Sequence, residues 1–558
     1  MPDRLAFACL AIAACALTPA AAQETGPPPE SPPRETKGPA AEKLPSFAEL
    51  EAAGAVIGEI RISTHNIFDL DNEHENNILY RAANAVHIQT RPGLVRQKLL
   101  FKTGERVSVH AIEETERLLR SYRIFYDVSI TPVAYHEGVV DIEVMTRDTW
   151  TLQPGFSASR SGGANRTNLG LTETNAFGTG ILLGVNRFSD ADRTGIVYQV
   201  QDPHAFDGWT NISYAYSQLS DGLNRTASVT RPFYALDTRW AAGITASHDD
   251  RLDKLFENGT TTAQFRHRAD TVDAFGGLSA GRVGGWVQRY SAGLNYQRDA
   301  YSEDAGLTPP DQLPSDQKLV APYLRYEVVE DAYERFKNLD LIERPEYFVI
   351  GLQSSVQLGR SLTALGSSQQ LWLYSLSVND GYRLRSGGIV LSSVSGKGQT
   401  GYGPLDKQAT SSSLKFYSHP DSRTLVFFSL AGDLLKDATS SSQLTLGGDT
   451  GLRGYPRNYQ TGDSRVVFNA EYRVYTDWYP IRLFRVGGAV FYDLGRAGGG
   501  PNSNTEHTGW LSDVGVGLRI LNARTAFGNV LHIDLAFPLT YDPNIRRVQF
   551  LVQTQTTF

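Results

Sequence analysis

The chain has 558 residues, 41% of them apolar, a formal charge of −7 and a negative mean hydropathy. That length favours at least two units, the mild charge gives no reason to expect a nucleic-acid partner, and no run of about eighteen apolar residues follows the N-terminus, which argues against a helical membrane protein. A soluble protein or a β-barrel remains, and 52 Gly, 26 Tyr and 25 Phe beside two Met and two Cys lean toward the barrel.

Residues 1–22 read as a secretory signal: Arg4 precedes an apolar run from Leu5 to Leu17, and Ala20, Ala21 and Ala22 precede Gln23. Both cysteines, Cys9 and Cys15, lie inside it, so the cleaved chain has no thiol for a disulfide or a cysteine metal site. Ile12-Ala13-Ala14-Cys15 loosely fits a lipidation box, yet the run beyond it stays apolar and ends in an ordinary cleavage site. Residues 23–53, rich in Pro and charge, are predicted to be a disordered tether, with a docking ligand as the lesser alternative.

Residues 54–148 carry the pattern of a small α+β module. Ile60 and Ile62 alternate with Glu59, Arg61 and Ser63 as in a half-buried strand. Leu94 to Phe101 reads as a helix, and Ser108 caps a second one through Val109, Ile112, Leu119 and Tyr122. Two strands follow, the first through Tyr126, Val128 and Ile130 and the second through Val140, Ile142 and Val144, with His136-Glu137-Gly138 as the turn. The predicted order is strand, helix, helix, strand, strand.

From residue 149 to 558 helical periodicity gives way to short alternating segments between Gly, Asp, Asn and Ser turns. Leu531, Ile533, Leu535 and Phe537 fall on one face and His532, Asp534 and Ala536 on the other. In the last segment Val548, Phe550, Val552 and Phe558 oppose Arg547, Gln549, Gln553 and Gln555. A soluble sandwich would alternate in the same way; export, the missing thiols, the aromatic content and the terminal Phe558 decide for the barrel. At about 25 residues per strand and connection, the span predicts a mainly β, 16-stranded antiparallel transmembrane barrel.

Four motifs in order carry a family resemblance. GGDTGLRGYPRNY, Gly447 to Tyr459, has an Arg453-Gly454-Tyr455 core; VFNAEYRVY, Val467 to Tyr475, and FYDLG, with Phe491, Asp493 and Gly495, come next; DVGVGLRI and LHIDLAFPL precede Phe558. Together they resemble the BamA/TamA superfamily, and the module with LLFKTGERVSV (Leu99 to Val109) and RIFYDVSI (Arg123 to Ile130) resembles one POTRA domain. Strand parity points Glu471 and Asp493 into the lumen. The resemblance implies that the loop bearing Arg453 folds back beside them, where a guanidinium fork suits two carboxylates. It also implies an assembly signal in Phe550, Val552 and Phe558, from which Thr556 departs. Pro154, which cannot donate to a ladder, either weakens the seam between first and last strands or lies just before the first strand.

Other signals are weaker. Gly277-Leu278-Ser279-Ala280-Gly281 fits a hydrolase elbow, but nothing helical follows it. His65, His74, His87 and His110 show no metal-ligand spacing, and His248 to Gly259 reads as a charged turn or loop. The expectation is a non-enzymatic protein without metal or cofactor, in the bacterial outer membrane with its N-terminal module in the periplasm. Its partners would be the lipid bilayer, unfolded client polypeptides to be assembled or translocated, and a possible periplasmic protein on the POTRA module. A two-partner-type secretion pore and a passive surface barrel are the alternatives.

Overall fold

A computed structural model describes residues 44–558 apart from 307–308, 402–405, 438–442, 501–502, 504–508, 525–529, 556–558 and positions 123, 311, 344, 541 and 544. The expectations for the secretory signal, for the tether up to residue 43 and for Phe558 lie outside the described residues.

The described chain begins with helix α1, Phe47–Ala52, inside the stretch predicted to be tether. Ser46 Oγ accepts from Glu49 N while Glu49 accepts from Ser46 N at 2.7 Å, so the two ends of a capping box satisfy each other. Leu50 is buried in the adjoining core, which fixes a helix too short to persist alone. Strand β1, Val56–His65, follows, then α2 (Ile78–Val86), α3 (Pro92–Gln97), α4 (Val109–Ser121), β2 (Phe125–His136) and β3 (Val139–Asp148). The sheet order is β1-β3-β2, with β1 parallel and β2 antiparallel to β3. Ser108 caps α4 through Ala111 N. Two further elements differ from the sequence expectation. Helix α3 starts at Pro92 and stops at Gln97, short of the predicted Phe101, and α2 is an additional helix between β1 and α3. Ile57, Ile60, Val95, Ile112, Leu119, Val128, Val140 and Ile142 form the core of this domain.

Strand β4, Leu152–Ser161, opens the second architecture, and Pro154 lies within it, paired with Leu171. From β4 onward, among the described residues, twenty strands pair antiparallel in chain order, and the last strand, Gln549–Gln555, returns to β4 through the pair Val552↔Arg160, closing the ring. Twenty strands replace the predicted sixteen because many connections are tight. Asn258-Gly259 and Gly284-Gly285 each place both residues in left-handed conformation, the two-residue turn that suits a twisted hairpin, so a strand with its connection takes about 20 residues. The stretch His248 to Glu257, predicted as a loop, is the end of the strand Trp240–Glu257, and only residues 258–259 turn.

The faces of the ring have opposite polarity. Val514, Val516 and Leu518 are exposed, whereas Asp513, Gly515 and Arg519 beside them are not, and Asp513 and Arg519 are fully buried. The same inversion recurs at Val356 and Leu358, at Phe428 and Leu430, and at Leu535 and Phe537, all exposed on their strands. The small domain sits at one end, called the near end below, and is bonded to its turns. Trp150 N donates to Arg524 O at 2.8 Å, Arg91 N to Gly178 O at 2.9 Å and Leu236 N to Glu114 Oε1 at 2.7 Å.

Candidate functional site

The site begins with a loop at the far end, between the strands Thr424–Asp437 and Ser464–Tyr475. A three-residue ladder, Leu444–Leu446 with Gln460–Gly462, forms its neck. Gly447 and Gly451 adopt φ values of 126° and 118°, which open the backbone beyond what a side chain tolerates and turn Leu452 and Arg453 inward. Leu446, Leu452, Tyr455 and Tyr459 then pack with Val467, Leu511 and Ile545, so the loop carries its own apolar core.

At the inner tip, Arg453 Nε donates to Asp493 Oδ2 and Nη2 to Asp493 Oδ1, both at 2.7 Å, while Nη1 donates to Glu471 Oε1 at 2.6 Å. Its guanidinium lies 3.4 Å from the centroid of the Phe491 ring. Gly454 N donates to Asp513 Oδ2 at 3.0 Å, and a Cβ on Gly454 would stand 2.6 Å from Asp513 Cβ, which explains the absence of a side chain there. Tyr455 OH donates to Ser512 O at 2.9 Å. Gly495 leaves the space filled by Leu446. The structure thus brings Arg453, Gly454, Tyr455, Glu471, Phe491, Asp493 and Gly495 into one neighbourhood.

The cluster extends further than the motifs. Arg473 Nε donates to Glu471 Oε2 at 2.8 Å, Arg519 Nη2 to Glu471 Oε1 at 3.2 Å, and Arg519 Nη1 to Asp534 Oδ1 at 2.5 Å. Arg453 Nη1 is 3.5 Å from Asp534 Oδ2. Three guanidiniums therefore alternate with the carboxylates of Glu471, Asp493 and Asp534, all buried, a pattern in which each charge is desolvated but compensated. Sequence reasoning did not single out Arg519 and Asp534. The signal was in the strand itself: a Cβ on inward-facing Gly515 would collide with Phe491, and one on Gly517 with Asp534.

From the near end a second insertion meets this cluster. Residues 331–352 form a hairpin, Tyr333–Lys337 with Pro345–Val349. Its tip buries Leu339 and Ile342 among Ile389, Tyr417, Leu425 and Phe427. Arg473 Nη1 donates to Leu339 O at 3.1 Å and Tyr475 OH to Asn338 O at 3.2 Å. Glu346 accepts from the backbone N–H groups of Leu339, Asp340 and Leu341, each at 3.1 Å, and burial, with the Asp340 charge beside it, pushes its carboxyl up to about 8. At its base, Asp331 pairs with His110 at 3.2 Å, and Tyr347 OH reaches Glu116 at 3.3 Å. Leu339 and Ile342, apolar within an otherwise loop-like stretch, were the available sign.

The remaining predicted residues sit apart from the cluster. Phe550 is exposed on the outer face of the last strand, and Val552 makes the seam pair. Ser279 lies in the strand Thr260–Val283, where its Oγ donates to Gln288 O at 2.8 Å. His87 pairs with Asp148 at 2.9 Å. Among the described residues no three His, Cys, Asp or Glu side chains are grouped to hold a metal.

Residues 350–558 match the Omp85 superfamily domain. This part of the chain is an Omp85 domain, of the superfamily to which the BamA/TamA resemblance points. Among solved structures, similar ones include BamA from Haemophilus ducreyi lacking POTRA domains 1-3, at 13% identity, over 89% of this chain and 84% of that one, with a TM-score of 0.39. CdiB from Escherichia coli is 14% identical over 90% of this chain and 76% of that one, with a TM-score of 0.48. Comparison with curated proteins gives no match. The Omp85 domain contains the whole charge cluster, its loop and the last strand, while the near-end hairpin up to Val349 precedes it.

Proposed function

We propose that the chain is an outer-membrane β-barrel that assembles or translocates client polypeptides, with the N-terminal domain as a periplasmic POTRA module. The observation that carries the membrane part is the inverted polarity of the ring. Apolar side chains are exposed on the outside at alternate positions while arginines and carboxylates fill the inside, the arrangement that lipid on one side and a lumen on the other requires. The client part rests on the match of residues 350–558 to the Omp85 superfamily domain and on the seam. Among the described residues Val552↔Arg160 is the single ladder pair across it, and β4 contains Pro154, which offers no N–H. A client strand can add there by main-chain pairing.

The meeting of two insertions inside the ring favours this route over a pore through the centre. The far-end loop and the near-end hairpin enter from opposite ends and both bond to the chain around Arg473 and Glu471. Depletion tests the reading: loss of particular barrel proteins from the outer membrane is expected. An unchanged outer membrane with one exoprotein lost from the medium would favour a dedicated secretion pore, and no change in either would favour a passive barrel.

A further inference from the structure

Among the described residues between Pro45 and Asp148, the exposed large apolar side chains are concentrated in one short segment: Ile78, Leu79, Val86 and Ile88, with only Val139 elsewhere. The first three belong to α2, where Ile78, Ala82, Ala85, Val86 and Leu79 share one arc of the helix and are all exposed. The opposite arc is tied down. Tyr80 stacks on Phe68 at 4.0 Å, Tyr80 OH bonds to Ile481 O in the turn before the strand Phe484–Gly498, and Asn84 Nδ2 donates to Phe68 O at 2.8 Å. A helix held by its more polar side, with its apolar side outward, is the reverse of ordinary packing.

The near-end turns beside it show the same inversion. Phe177, Phe206 and Ile481 are 62%, 84% and 62% exposed, and each holds a left-handed backbone with φ of 58°, 55° and 44°. Such positions suit Gly or Asn in a solvated turn; a bulky apolar residue there is an outlier, most of all a β-branched one. Phe177 and Phe206 lie in the turns two and four strands on from the start of the ring, Ile481 in a turn on the other side of the seam, and the segment carrying α2 reaches both sides, since Arg91 N bonds to Gly178 O. The exposed outer face of the strand Ser464–Tyr475, with Tyr472 and Val474, runs on into exposed Trp478 and Ile481, so the apolar wall and the helix join without a break. Arg81 at the edge of the arc and Arg482 in the turn are exposed.

We propose that α2, with the adjoining near-end turns, is an interfacial anchor that seats in the inner leaflet of the outer membrane beneath the seam, its arginines meeting lipid phosphates. The inference rests on the membrane-barrel reading and extends it: the N-terminal domain is itself a lipid-binding element. Amphipathic helices of this kind sink about 5–10 Å into the boundary between head groups and acyl chains, and tryptophan is at home at that depth.

The test uses the full chain on a Cys9→Ser, Cys15→Ser background, carrying single Leu79→Cys or Val86→Cys replacements labelled with an environment-sensitive fluorophore. It is reconstituted in phosphatidylcholine–phosphatidylglycerol bilayers, and Leu324→Cys, exposed on the outer wall, and His74→Cys, exposed next to α2, are the controls. Probes at 79 and 86 are expected to be quenched by lipids with a doxyl group near the head group, more strongly than by lipids with it near the chain end, and to resist aqueous iodide, with the probe at 74 showing the reverse. Iodide quenching at 79 and 86 while 324 is quenched by lipid overturns the anchor and leaves the barrel reading standing. Protection from both quenchers overturns it in favour of a second copy covering the helix. Absence of lipid quenching at 324 overturns the barrel reading, and the anchor with it.

Discussion

Removing the guanidinium of Arg453 isolates a buried negative charge. Arg453 holds both oxygens of Asp493, which also accepts from the Asn469 amide at 2.8 Å, whereas Glu471 keeps Arg473 and Arg519. The cost of Arg453→Ala therefore falls mainly on Asp493, and breaking a buried pair in this way costs about 3–5 kcal/mol. Arg453→Lys keeps the charge but cannot fork. It surrenders at least one of three charge-assisted bonds, each contributing about 1.5–3 kcal/mol, together with the flat contact on Phe491. If Asp493 is the group left uncompensated, Asp493→Asn introduced into Arg453→Ala should recover stability, so that the double variant loses less than the sum of the single losses by about 1–3 kcal/mol. Urea titration of the protein in bilayers, followed by the heat-dependent gel mobility of folded barrels, measures each midpoint. A wild-type midpoint and full client assembly in Arg453→Lys, or strict additivity in the double variant, would refute the view that the cluster pins the loop.

Three further outcomes follow from the geometry. Gly454→Ala brings a methyl group against Asp513 and is expected to destabilise the barrel by about 1–3 kcal/mol, read in the same titration; an unchanged midpoint would mean that the loop does not press on the strand Leu511–Asn522. Glu346 has a folded value raised to about 8 from 4.5, so its contribution is complete below about 4.5 and is lost as pH rises through 8. The near-end hairpin should accordingly become more sensitive to protease between about pH 5 and pH 9, an increase that Glu346→Gln abolishes; equal cleavage profiles in the two proteins count against it. Arg160→Cys paired with Val552→Cys joins two residues already opposed in the ladder and should crosslink on oxidation, leaving folded mobility intact while client assembly falls; full assembly with the bond closed argues against an opening seam.

How much of this was legible in the sequence depended on whether the determinant was local. Glu471 and Asp493 could be turned inward by counting, because a strand alternates with a period of two. Arg453 could be joined to them only through the resemblance, since its loop crosses the lumen and no periodicity links it to its partners. Arg519 and Asp534 escaped for the complementary reason: they are recognisable through the glycines that make room for them, which matter only once strands are set side by side. Charge misled at residues 248–257. Asp250 pairs with Arg266 at 2.6 Å and Arg268 at 3.1 Å on the neighbouring strand, and Arg251 with Asp253 at 2.6 Å, so a stretch that looks solvated is a ladder stitched by ion pairs. Helix α1 was hidden in a proline-rich neighbourhood although Ser46 and Glu49 spelled its cap, and α2 was hidden because its apolar arc does not face the domain core. The strand count failed on turn length, which the Asn-Gly and Gly-Gly pairs already announced.

The seam has a consequence for how the ring forms. Every other ladder of the ring joins strands that follow one another around it in chain order, so each needs only a local connection to close, and hairpin neighbours of this kind find each other within microseconds in solution. Val552 and Arg160 stand about 390 residues apart. If that pairing had to form from an open chain, the entropy of bringing the ends together would be about 5 kcal/mol by the logarithmic law for flexible loops. Once the intervening strands are curled the same ends are nearly neighbours, and most of that entropy has already been surrendered by curvature. Closure is therefore expected to be the last step of ring formation, and its rate should respond to whatever bends the sheet rather than to the chemistry of the two residues that meet.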